Sequence, residues 1–497
     1  MTRKPFPKLY SHSLALLTDF YQLTMCYSYW KASLFEKEAV FHHFFRRAPF
    51  SGGFTIACGL EVLINYLENF KFEPDDLKYL ESIEDKDGEP LFEKAFLDYL
   101  GNMKFSCSLD AVKEGTVVFP YEPLIRIQGP LIQCQILESV ILNLINFSSL
   151  IATKAARICL AAKGDEVVEF GLRRAQGIDG AMTASRSAYI GGCSSTSNVL
   201  AAKAFGIPVK GTHSHSFVMV FNEELEAFKQ YAECLPNHTV FLVDTYDTVQ
   251  GVKNAIEVGK LLKKKGKRLA GIRLDSGDLN YLSIISRKLL DEAGFQDAEI
   301  IASNELDEHV ISELKKQGAK IQVWGVGTNL VTGHENPALD GVYKLSAIRD
   351  PKSDWVYKLK LSEQMIKTSN PGILQVKRFF KANENIADAI YDVEHPPKNW
   401  TITDPFDSTK QKWIKENLEA KDLLVPIFRD GKLVYEVPTL EEVRKNVKKE
   451  LDGFYSGIKR FLNPHQYFVG MEKSLYDKKR ALILEIRKKA FETQEDF

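Results

Sequence analysis

The sequence predicts an α/β protein whose middle part is an irregular, TIM-like parallel barrel. Two observations indicate this fold. From about residue 165 to about residue 345, short apolar β-branched runs alternate with amphipathic stretches, and nearly every apolar run ends in a polar cluster. An open sheet gathers its ligand groups at one switch point, whereas a barrel collects them from the carboxyl ends of many strands. The barrel is therefore the favoured interpretation.

Strands and helices alternate over most of the expected barrel. The strands that we predict are Glu166–Phe170, Pro208–Lys210, Val240–Val243, Arg268–Ile272, Glu299–Ala302 and Ile321–Trp324. The helices predicted between them are Glu223–Cys234, Thr248–Lys264, Leu279–Ala293 and Asp307–Gln317. This alternation places the carboxyl ends of the strands at one mouth.

The flanking parts of the chain differ in texture from the barrel. An N-terminal α+β domain is expected over residues 1–145, where helical patterns such as Leu14–Trp30 mix with strand-like runs such as Thr116–Phe119 and Leu124–Ile127. The barrel is expected over residues 146–345. Residues 346–497 are irregular and highly charged, and we expect a separate C-terminal region that packs on the rest.

Composition excludes some classes of partner. The 497 residues are 44% hydrophobic and 26% charged, with 65 basic against 66 acidic residues and a net charge of -1, so neither nucleic acid nor an anionic membrane is an expected partner. The apolar stretch Leu131–Ala162 is interrupted by polar residues, which is typical of a buried helix. No secretory signal is visible in the first residues, and seven scattered cysteines suit a reduced, cytoplasmic protein.

A glycine-rich turn follows the last predicted strand. Gly325-Val326-Gly327-Thr328 offers unobstructed backbone N–H groups and a hydroxyl, which suit a phosphate monoester. Barrels of this type often bind phosphate in the loops after their last two strands, and Ser303-Asn304 falls one strand earlier. Turn glycines without any ligand are the structural alternative.

Four carboxylates follow two neighbouring strands. Asp244 and Asp275 are candidates for a magnesium–polyphosphate site or for the hydroxyls of a ribose, because Mg²⁺ takes one or two carboxylates together with phosphate oxygens and water. Asp247 and Asp278 are weaker candidates, since each precedes a predicted helix and suits a helix N-cap.

Three arginines and a phenylalanine stand at strand ends. Arg173, Arg174 and Arg273 are expected to place guanidinium groups beside the acids, and Phe170 offers one face for a flat heterocycle. Ordinary surface salt bridges for the arginines and a core position for Phe170 are the alternatives.

Two histidines alternate in Gly-Thr-His-Ser-His-Ser. As an extended pair, His213 and His215 are expected to face the same way. Metal ligation lacks a third ligand at suitable spacing. We expect His213 to be structural and His215 to be a candidate phosphoryl-accepting nucleophile.

Together these motifs resemble the nicotinate phosphoribosyltransferase family. The six matching stretches are 16–25, 170–177, 211–216, 242–248, 271–279 and 325–328, and they occur in the family's order. The resemblance implies a homodimeric type II phosphoribosyltransferase with a shared active site, acting on nicotinate, phosphoribosyl pyrophosphate and ATP, with Mg²⁺ held through substrate phosphates. The product is nicotinate mononucleotide, in the first step of NAD salvage from nicotinate.

The resemblance also assigns residue roles. It implies that ATP phosphorylates His215 and that Asp244 and Asp275 act in catalysis. Nicotinate-binding positions are Tyr21, Phe170, Arg173, Thr212 and Arg273, with the ring between Phe170 and Arg273. Phosphoribosyl pyrophosphate-binding positions are Arg46, Arg47, Asp244, Asp275, Ser303, Asn304, Gly325, Gly327 and Thr328. Tyr21 and the Arg46-Arg47 region are implied to come from the partner subunit.

The related nicotinamide-using enzyme is the alternative function. That enzyme holds the amide with an aspartate in the segment resembling Cys193–Thr196, where serine stands here. Removing a carboxylate favours an anionic ring substituent, because like charges repel in a partly dry pocket. A phosphate-binding barrel lyase would need a lysine at a strand end, for which only Lys210 is available, and a non-catalytic scaffold would need no convergent charged groups.

Overall fold

The structure is a computed structural model that describes residues 14–492, so the first residues, on which the expectation about a secretory signal rests, lie outside the described part. The chain divides into two compact units. One unit is formed by residues 151–337, and the other contains residues 14–150 together with residues 338–492. Boundaries at residues 145 and 345 stay a prediction, but the first and last parts of the chain contribute to the same unit.

The unit of residues 151–337 is built on a six-stranded parallel sheet. In spatial order its strands are Ser195–Thr196, Glu166–Glu169, Val323–Val326, Glu299–Ser303, Gly271–Leu274 and Val240–Leu242. Each neighbouring pair is parallel. The α/β class is confirmed. Beyond Ser195–Thr196, Val209 adds one isolated parallel bridge to Thr196, and no strand pairing in the described residues joins this edge to Val240–Leu242.

Along the chain, helices follow the strands of this unit. They are Gly177–Gly191, Val199–Phe205, His215–Met219, Glu224–Cys234, Thr248–Lys264, Leu279–Glu292, Glu308–Lys316 and Thr328–Val331, with a 3-10 turn at Leu172–Arg174. The four predicted helices are confirmed to within one residue at either end.

The helix Thr248–Lys264 shows why its sequence forms this element. The Asp247 side chain caps it by accepting a hydrogen bond from the Gln250 N–H at 2.7 Å. Two lysines occupy its last turn, where their positive charge interacts favourably with the negative end of the helix dipole. A Cβ on Gly251 would stand 2.0 Å from the Val243 carbonyl oxygen, so only glycine lets the helix approach the sheet this closely.

Apolar side chains fill the interior of the sheet below its carboxyl ends. Val168, Ile301 and Val323 form a buried cluster, against which Phe170 and Val240 pack. Because side chains alternate along a strand, the next inward positions towards the carboxyl ends are Phe170, Ser303 and Gly325. These positions build the candidate site.

The second unit contains two larger sheets. In spatial order the strands of the seven-stranded antiparallel sheet are Val356–Tyr357, Gly341–Arg349, Glu38–Phe45, Ile125–Pro130, Ser108–Val112, Leu424–Arg429 and Lys432–Leu433. The strands of the six-stranded sheet are Gln411–Trp413, Thr401–Thr403, Val469–Glu472, Glu384–Asp392, Leu374–Lys381 and Glu419–Asp422. Thr55–Ile56 pairs with Val117–Val118 in a small third sheet.

The helices of this unit pack around an extensive apolar core. They are Phe20–Lys31, Leu60–Glu68, Pro74–Glu81, Lys94–Gly101, Leu131–Ile136, Leu440–Asp452 and Lys473–Glu492, while Glu138–Ala162 begins here and ends beyond the division at residue 150. The core combines residues from both ends of the chain, including Phe41, Leu109, Ile127, Leu424 and Met471.

The part of the chain after residue 345, whose sequence is irregular and highly charged, is regular in structure. Long strands such as Leu374–Lys381 and Glu384–Asp392 build a sheet there, and Leu424–Arg429 pairs with Ser108–Val112 of the N-terminal part. Charged residues on exposed strand faces obscured the alternation, since strands with one solvated face carry polar side chains at every second position.

The apolar stretch Leu131–Ala162 forms the helices Leu131–Ile136 and Glu138–Ala162. By length and by its mean hydropathy of 1.6 it passes as a membrane span, but 61% of its most apolar window is buried. Core helices of soluble proteins share these properties, and the polar interruptions in the sequence predict such a helix.

Candidate active site

A hydrogen-bonded network joins the ends of three neighbouring chain segments. Arg273, on the strand Gly271–Leu274, donates from Nη2 to Asp275 Oδ1 at 2.9 Å, from Nε to Ser303 Oγ at 2.9 Å and from Nη1 to Thr212 Oγ1 at 2.9 Å. Ser303 in turn donates to Asp275 Oδ1. The planar guanidinium therefore fixes three side chains at once, as its fork of donors allows.

The carboxylate of Asp275 is held in its charged form. Burial raises its pKa, but the hydrogen bond from Ser303 and the charge and hydrogen bond of Arg273 lower it further, with a smaller contribution from His215, so the net pKa lies below its usual range. Asp275 is therefore ionised at neutral pH and is available to stabilise positive charge.

Asp244 stands beside Asp275 with one oxygen engaged and one free. Its Oδ2 accepts hydrogen bonds from the Asp275 N–H at 2.9 Å and from Ser276 Oγ at 2.6 Å. Its Oδ1 is buried and has no hydrogen-bond partner among the described residues. A buried carboxylate oxygen without a donor is costly unless a ligand or a cation completes it.

His215 lies next to this pair of acids. Its Nε2 is 3.6 Å from Asp275 Oδ2, and its Nδ1 is 3.3 Å from Thr245 Oγ1. The side chain is 40% exposed, so at least part of the imidazole is accessible to a phosphoryl donor.

The prediction of an extended pair at His213 and His215 was wrong. A helix begins at His215, directly after Ser214, and the two imidazoles have different partners. The amphipathic pattern that could have indicated this helix is too short to see in sequence, because the helix has only five residues.

His213 is a structural residue, as expected. Its Nε2 accepts a hydrogen bond from the Leu242 N–H at 3.2 Å, and its Nδ1 lies 3.3 Å from the Ser214 carbonyl oxygen, so the neutral ring carries its proton on Nδ1. It packs against Phe217, Phe228 and other rings. Burial lowers the pKa of His213 to about 4.

Phe170 and Arg273 face each other at the mouth. The Arg273 guanidinium carbon lies 5.7 Å from the centroid of the Phe170 ring. Gly325 leaves space for that ring, since a Cβ at Gly325 would lie 2.6 Å from ring atoms of Phe170. The first glycine of the Gly-x-Gly turn thus has a packing reason.

The turn after strand Glu299–Ser303 has unusual backbone geometry. Asn304 has φ +90° and Glu305 has φ +47°, a left-handed region that residues other than glycine rarely occupy. Each such residue costs on the order of 1–3 kcal/mol, and strain of this kind concentrates at ligand sites. The buried Ser303 is therefore followed by a strained, exposed turn.

The structure does not bring every predicted residue into this network. Arg173 and Arg174 are exposed in the 3-10 turn Leu172–Arg174 and form no ion pair with the acids in the described residues, so their place beside the acids stays a prediction. A turn leaves the strand axis, and side-chain direction there cannot be read from strand alternation.

Asp247 and Asp278 are helix N-caps. Asp247 accepts from the Gln250 N–H, and Asp278 accepts from the Tyr281 N–H at 3.0 Å. Lys210 is paired with Glu166 at 2.5 Å. None of these three side chains joins the Arg273 network.

Tyr21, Arg46 and Arg47 belong to the other compact unit. Tyr21 is 49% exposed on helix Phe20–Lys31. Arg46 stands 3.9 Å from Asp340, and its Nε is buried with no hydrogen-bond partner in residues 14–492. Arg47 is exposed.

Sequence reasoning missed two supporting residues. Glu169, fully buried, accepts hydrogen bonds from the Gly171 N–H, from Ser185 Oγ at 2.9 Å and from Thr196 Oγ1 at 2.5 Å. Asn329 donates to two backbone carbonyls of the strained turn. A charged residue in an otherwise apolar run was the available signal for Glu169, whereas Asn329 had none beyond its position after Gly327.

Comparison with known proteins gives matches along nearly the whole chain. Family models match at residues 16–146 (nicotinate phosphoribosyltransferase N-terminal domain), 166–370 (nicotinate phosphoribosyltransferase family) and 374–479 (nicotinate phosphoribosyltransferase C-terminal domain). The chain is similar to nicotinate phosphoribosyltransferase from Bacillus subtilis (strain 168), at 44% identity over 97% of this chain and 98% of that protein.

The chain is similar to the human enzyme in both sequence and structure. Nicotinate phosphoribosyltransferase from Homo sapiens is 31% identical over 96% of this chain and 98% of that protein. The crystal structure of human nicotinic acid phosphoribosyltransferase superposes with a TM-score of 0.81 at 29% identity, covering 94% of this chain and 99% of that chain.

Proposed function

Because the chain belongs to the nicotinate phosphoribosyltransferase family, we propose that it joins nicotinate to phosphoribosyl pyrophosphate, releasing nicotinate mononucleotide and pyrophosphate with coupled ATP hydrolysis. The reaction is the first step of NAD salvage from nicotinate. One observation carries the proposal from the side of the structure: Arg273 binds Asp275, Ser303 and Thr212 simultaneously while facing Phe170.

The nicotinate ring is proposed to bind between Phe170 and Arg273. Two van der Waals gaps of about 3.5 Å each require about 7 Å between the phenyl ring and the guanidinium. The separation is 5.7 Å, so ring binding widens it by roughly 1 Å, a movement open to a flexible arginine side chain. Thr212, hydrogen-bonded to Arg273, and Arg173 in the adjacent turn are the proposed contacts for the carboxylate.

The ribose and pyrophosphate are proposed to bind at the two acids. The free, buried Oδ1 of Asp244 fits a hard cation or a ribose hydroxyl, and Asp275 lies beside it. Mg²⁺ is proposed to be held by one or two carboxylates together with substrate phosphates. When bound, Mg²⁺ neutralises negative charge on pyrophosphate.

The 5′-phosphate is proposed to bind between two adjacent turns. Gly325, Gly327 and Thr328 supply N–H groups and a hydroxyl from one turn, and Ser303-Asn304 borders it from the neighbouring strand. Strand pairing supports this placement, because Ser303 and Gly325 are register partners.

The chemical step is a displacement at C1 of the ribose. The pyridine nitrogen attacks with its own lone pair, the bond to pyrophosphate breaks, and positive charge develops on the ribose in the transition state. Asp275, ionised and rigidly held, stands where it can stabilise that charge. Arg273 and Phe170 position the ring, so no general base is needed.

Coupling to ATP is proposed to proceed through His215. An imidazole nitrogen attacks the γ-phosphorus, the bond to ADP breaks, and water later hydrolyses the phosphohistidine. The partial exposure of His215 and its position beside Asp275 support this role. A phosphoryl group on His215 would place its negative charge close to Asp275, in the proposed substrate site.

Nicotinate is proposed as the ring substrate in preference to nicotinamide. The segment Cys193–Thr196 contains no carboxylate, and Ser194 donates to Glu166 at 2.5 Å. The matching relatives in Bacillus subtilis and Homo sapiens bear the name of the nicotinate enzyme.

Three further features belong to the proposal: the barrel fold, the oligomeric state and the location in the cell. The parallel sheet is proposed to be an incompletely closed, TIM-like barrel, in which the hydrogen bond from Leu242 N–H to His213 spans the open seam. A homodimer with shared sites is proposed, in which Tyr21, Arg46 and Arg47 serve the partner's site; the exposure of Tyr21 and the Arg46 Nε, which has no hydrogen-bond partner among the described residues, support it. A cytoplasmic location is proposed from the seven cysteines, which are scattered along the sequence and odd in number.

The test is mononucleotide formation from nicotinate and from nicotinamide, each with and without ATP. We expect product from nicotinate and a higher rate with ATP. Product from nicotinamide alone would instead support the nicotinamide enzyme, and no product from either ring would refute the proposed activity.

The phosphohistidine has its own assay. γ-Labelled ATP should leave acid-labile label on the protein, His215→Ala should abolish it, and His238→Ala, at an exposed histidine away from the network, should retain it. Label that survives in His215→Ala overturns the assignment.

A further inference from the structure

Two turns that border the proposed phosphate site are joined by one buried side chain. Asn329 lies on the helix Thr328–Val331, directly after the glycine turn, and is 7% exposed. Its Nδ2 donates to the Glu305 carbonyl oxygen at 3.1 Å and to the Leu306 carbonyl oxygen at 3.3 Å. These acceptors belong to the turn after strand Glu299–Ser303, so the side chain ties the two turns together.

The tied turn is the strained one. Asn304 and Glu305 both have positive φ, at +90° and +47°, and neither is glycine. Such a conformation persists only when its surroundings hold it. On the far side the buried Leu306 and the capping Asp307, which accepts from the His309 and Val310 N–H groups, anchor the chain. Asn329 supplies the remaining hold on the Glu305 and Leu306 carbonyls.

The strained turn begins at a residue of the Arg273 network. Ser303 accepts a hydrogen bond from Arg273 and donates one to Asp275. Because Ser303 directly precedes Asn304, a shift of the turn would move Ser303 and disturb both hydrogen bonds. An amide is the group that this position requires, because both acceptors are carbonyl oxygens and one NH₂ group has two hydrogens to donate. A carboxylate of the same size has none.

We propose that Asn329 is a positioning residue for phosphoribosyl pyrophosphate: by donating to the Glu305 and Leu306 carbonyls, it fixes the Ser303–Asn304 turn against the Gly325–Thr328 turn. The inference rests on the proposed function, since it assumes that these two turns bind the 5′-phosphate. Asn329 itself does not touch the substrate.

The experiment compares steady-state constants for four single variants and one double variant. Asn329→Asp and Asn329→Ala are expected to raise KM for phosphoribosyl pyrophosphate about tenfold, which corresponds to the loss of two ordinary hydrogen bonds. KM for nicotinate should stay within twofold, because the Phe170 side of the site is untouched. A general loss of folding would lower kcat without this split.

Two variants at Glu305 act on the same turn without altering a buried group. Glu305 is exposed, so Glu305→Gly and Glu305→Val are tolerated by the core. Glu305→Gly alone should leave both KM values unchanged, and added to Asn329→Ala it should recover at least half of the lost affinity, since glycine adopts positive φ without strain. Glu305→Val should raise KM for phosphoribosyl pyrophosphate severalfold, because β-branched residues tolerate positive φ poorly.

The outcomes separate this inference from the proposed function. If the unaltered enzyme forms mononucleotide but Asn329→Ala and Glu305→Val leave KM for phosphoribosyl pyrophosphate within twofold, the positioning role is refuted and the function stands. If the unaltered enzyme forms no mononucleotide from nicotinate, the proposed function fails first. Should Asn329→Ala fail to fold, Glu305→Val alone decides the question.

Discussion

At the scale of single residues, Asp275 is the side chain on which the site depends most. It accepts from Arg273 and Ser303, its backbone N–H donates to Asp244, and His215 lies 3.6 Å away. Replacing its charge is therefore expected to perturb the proposed contacts to the ring, the ribose and the phosphohistidine together.

Asp275→Asn is expected to lower kcat/KM for mononucleotide formation by roughly 10², the scale seen when a preorganised charged group is removed from a transition state. The melting temperature should change little, since the amide still accepts one hydrogen bond from Arg273. Asp278→Asn is the matched control: asparagine caps a helix as well as aspartate does, so kcat/KM should stay within twofold. Equal effects of the two changes would contradict the assignment.

His213 gives a prediction about pH. Its pKa falls from an ordinary 6.5 to about 4 on folding, because burial disfavours the imidazolium. The unfolded chain therefore binds more protons between these two values, so the stabilisation is complete above pH 6.5 and is lost as pH falls towards 4. From pH 7 to pH 5 the free energy of unfolding should drop by roughly 2 kcal/mol through this residue.

The measurement is urea unfolding of the unaltered protein and of His213→Gln across that range. Glutamine retains an acceptor for the Leu242 N–H but does not titrate, so the difference between the two proteins isolates His213. Parallel stability curves from pH 7 to pH 5 would show that His213 does not carry the dependence.

At the scale of helices and strands, sequence patterns predicted what is locally encoded. Thr248–Lys264 was predicted to the residue because its cap, periodicity and terminal lysines are contiguous in sequence. Arg268–Ile272 was displaced from the observed Gly271–Leu274, since pairing starts where Gly271 meets Glu299 of another strand. The two-residue strand Ser195–Thr196 was missed, because its pairing partners lie elsewhere in the chain.

The candidate site was predictable in part. Asp244, Arg273 and Asp275 lie at the ends of two neighbouring parallel strands, and strand order is enough to bring them together, whereas the strand before Phe170 is separated from Gly271–Leu274 by two others. Arg173 lies on a turn, and the Asn329 contacts depend on backbone carbonyls of another segment, which no residue pattern records.

Gly325 provides a prediction at this scale. Gly325→Ala would place a methyl group 2.6 Å from the Phe170 ring, so the ring must move, at a cost of about 1–3 kcal/mol in stability, with a severalfold rise in KM for nicotinate. Gly180→Ala is the control, because a Cβ there meets nothing within 4 Å and alanine favours the helix Gly177–Gly191. An unchanged KM in Gly325→Ala would show that this close packing does not set ring binding.

At the scale of the whole molecule, the family assignment inferred from six ordered motifs is confirmed by matches that span most of the chain. The proposed homodimer concerns how complete sites arise. If Tyr21 contributes to the partner's site, no single subunit contains all the residues of one site. A dimer of two different inactive variants can then contain one intact site.

Mixing Tyr21→Ala with Asp275→Asn tests this sharing. After denaturation and joint refolding, half of the dimers are mixed, and each mixed dimer has one intact site, so about a quarter of the original activity should return. Each variant refolded alone should return only its own low residual activity. Absence of recovery in the mixture, with dimers present by sedimentation, would place both residues in the same subunit's site.

The pairing of Leu424–Arg429 with Ser108–Val112 has a consequence for biosynthesis. During translation of the middle of the chain, the edge of strand Ser108–Val112 has no pairing partner. Its partner, Leu424–Arg429, lies in the last sixth of the polypeptide and is synthesised late. Residues 151–337, contiguous in sequence, can consolidate before that moment. A premature stop codon shortly before residue 424 therefore yields a nascent protein whose damage lies near its beginning, with a bare strand exposed to aggregation.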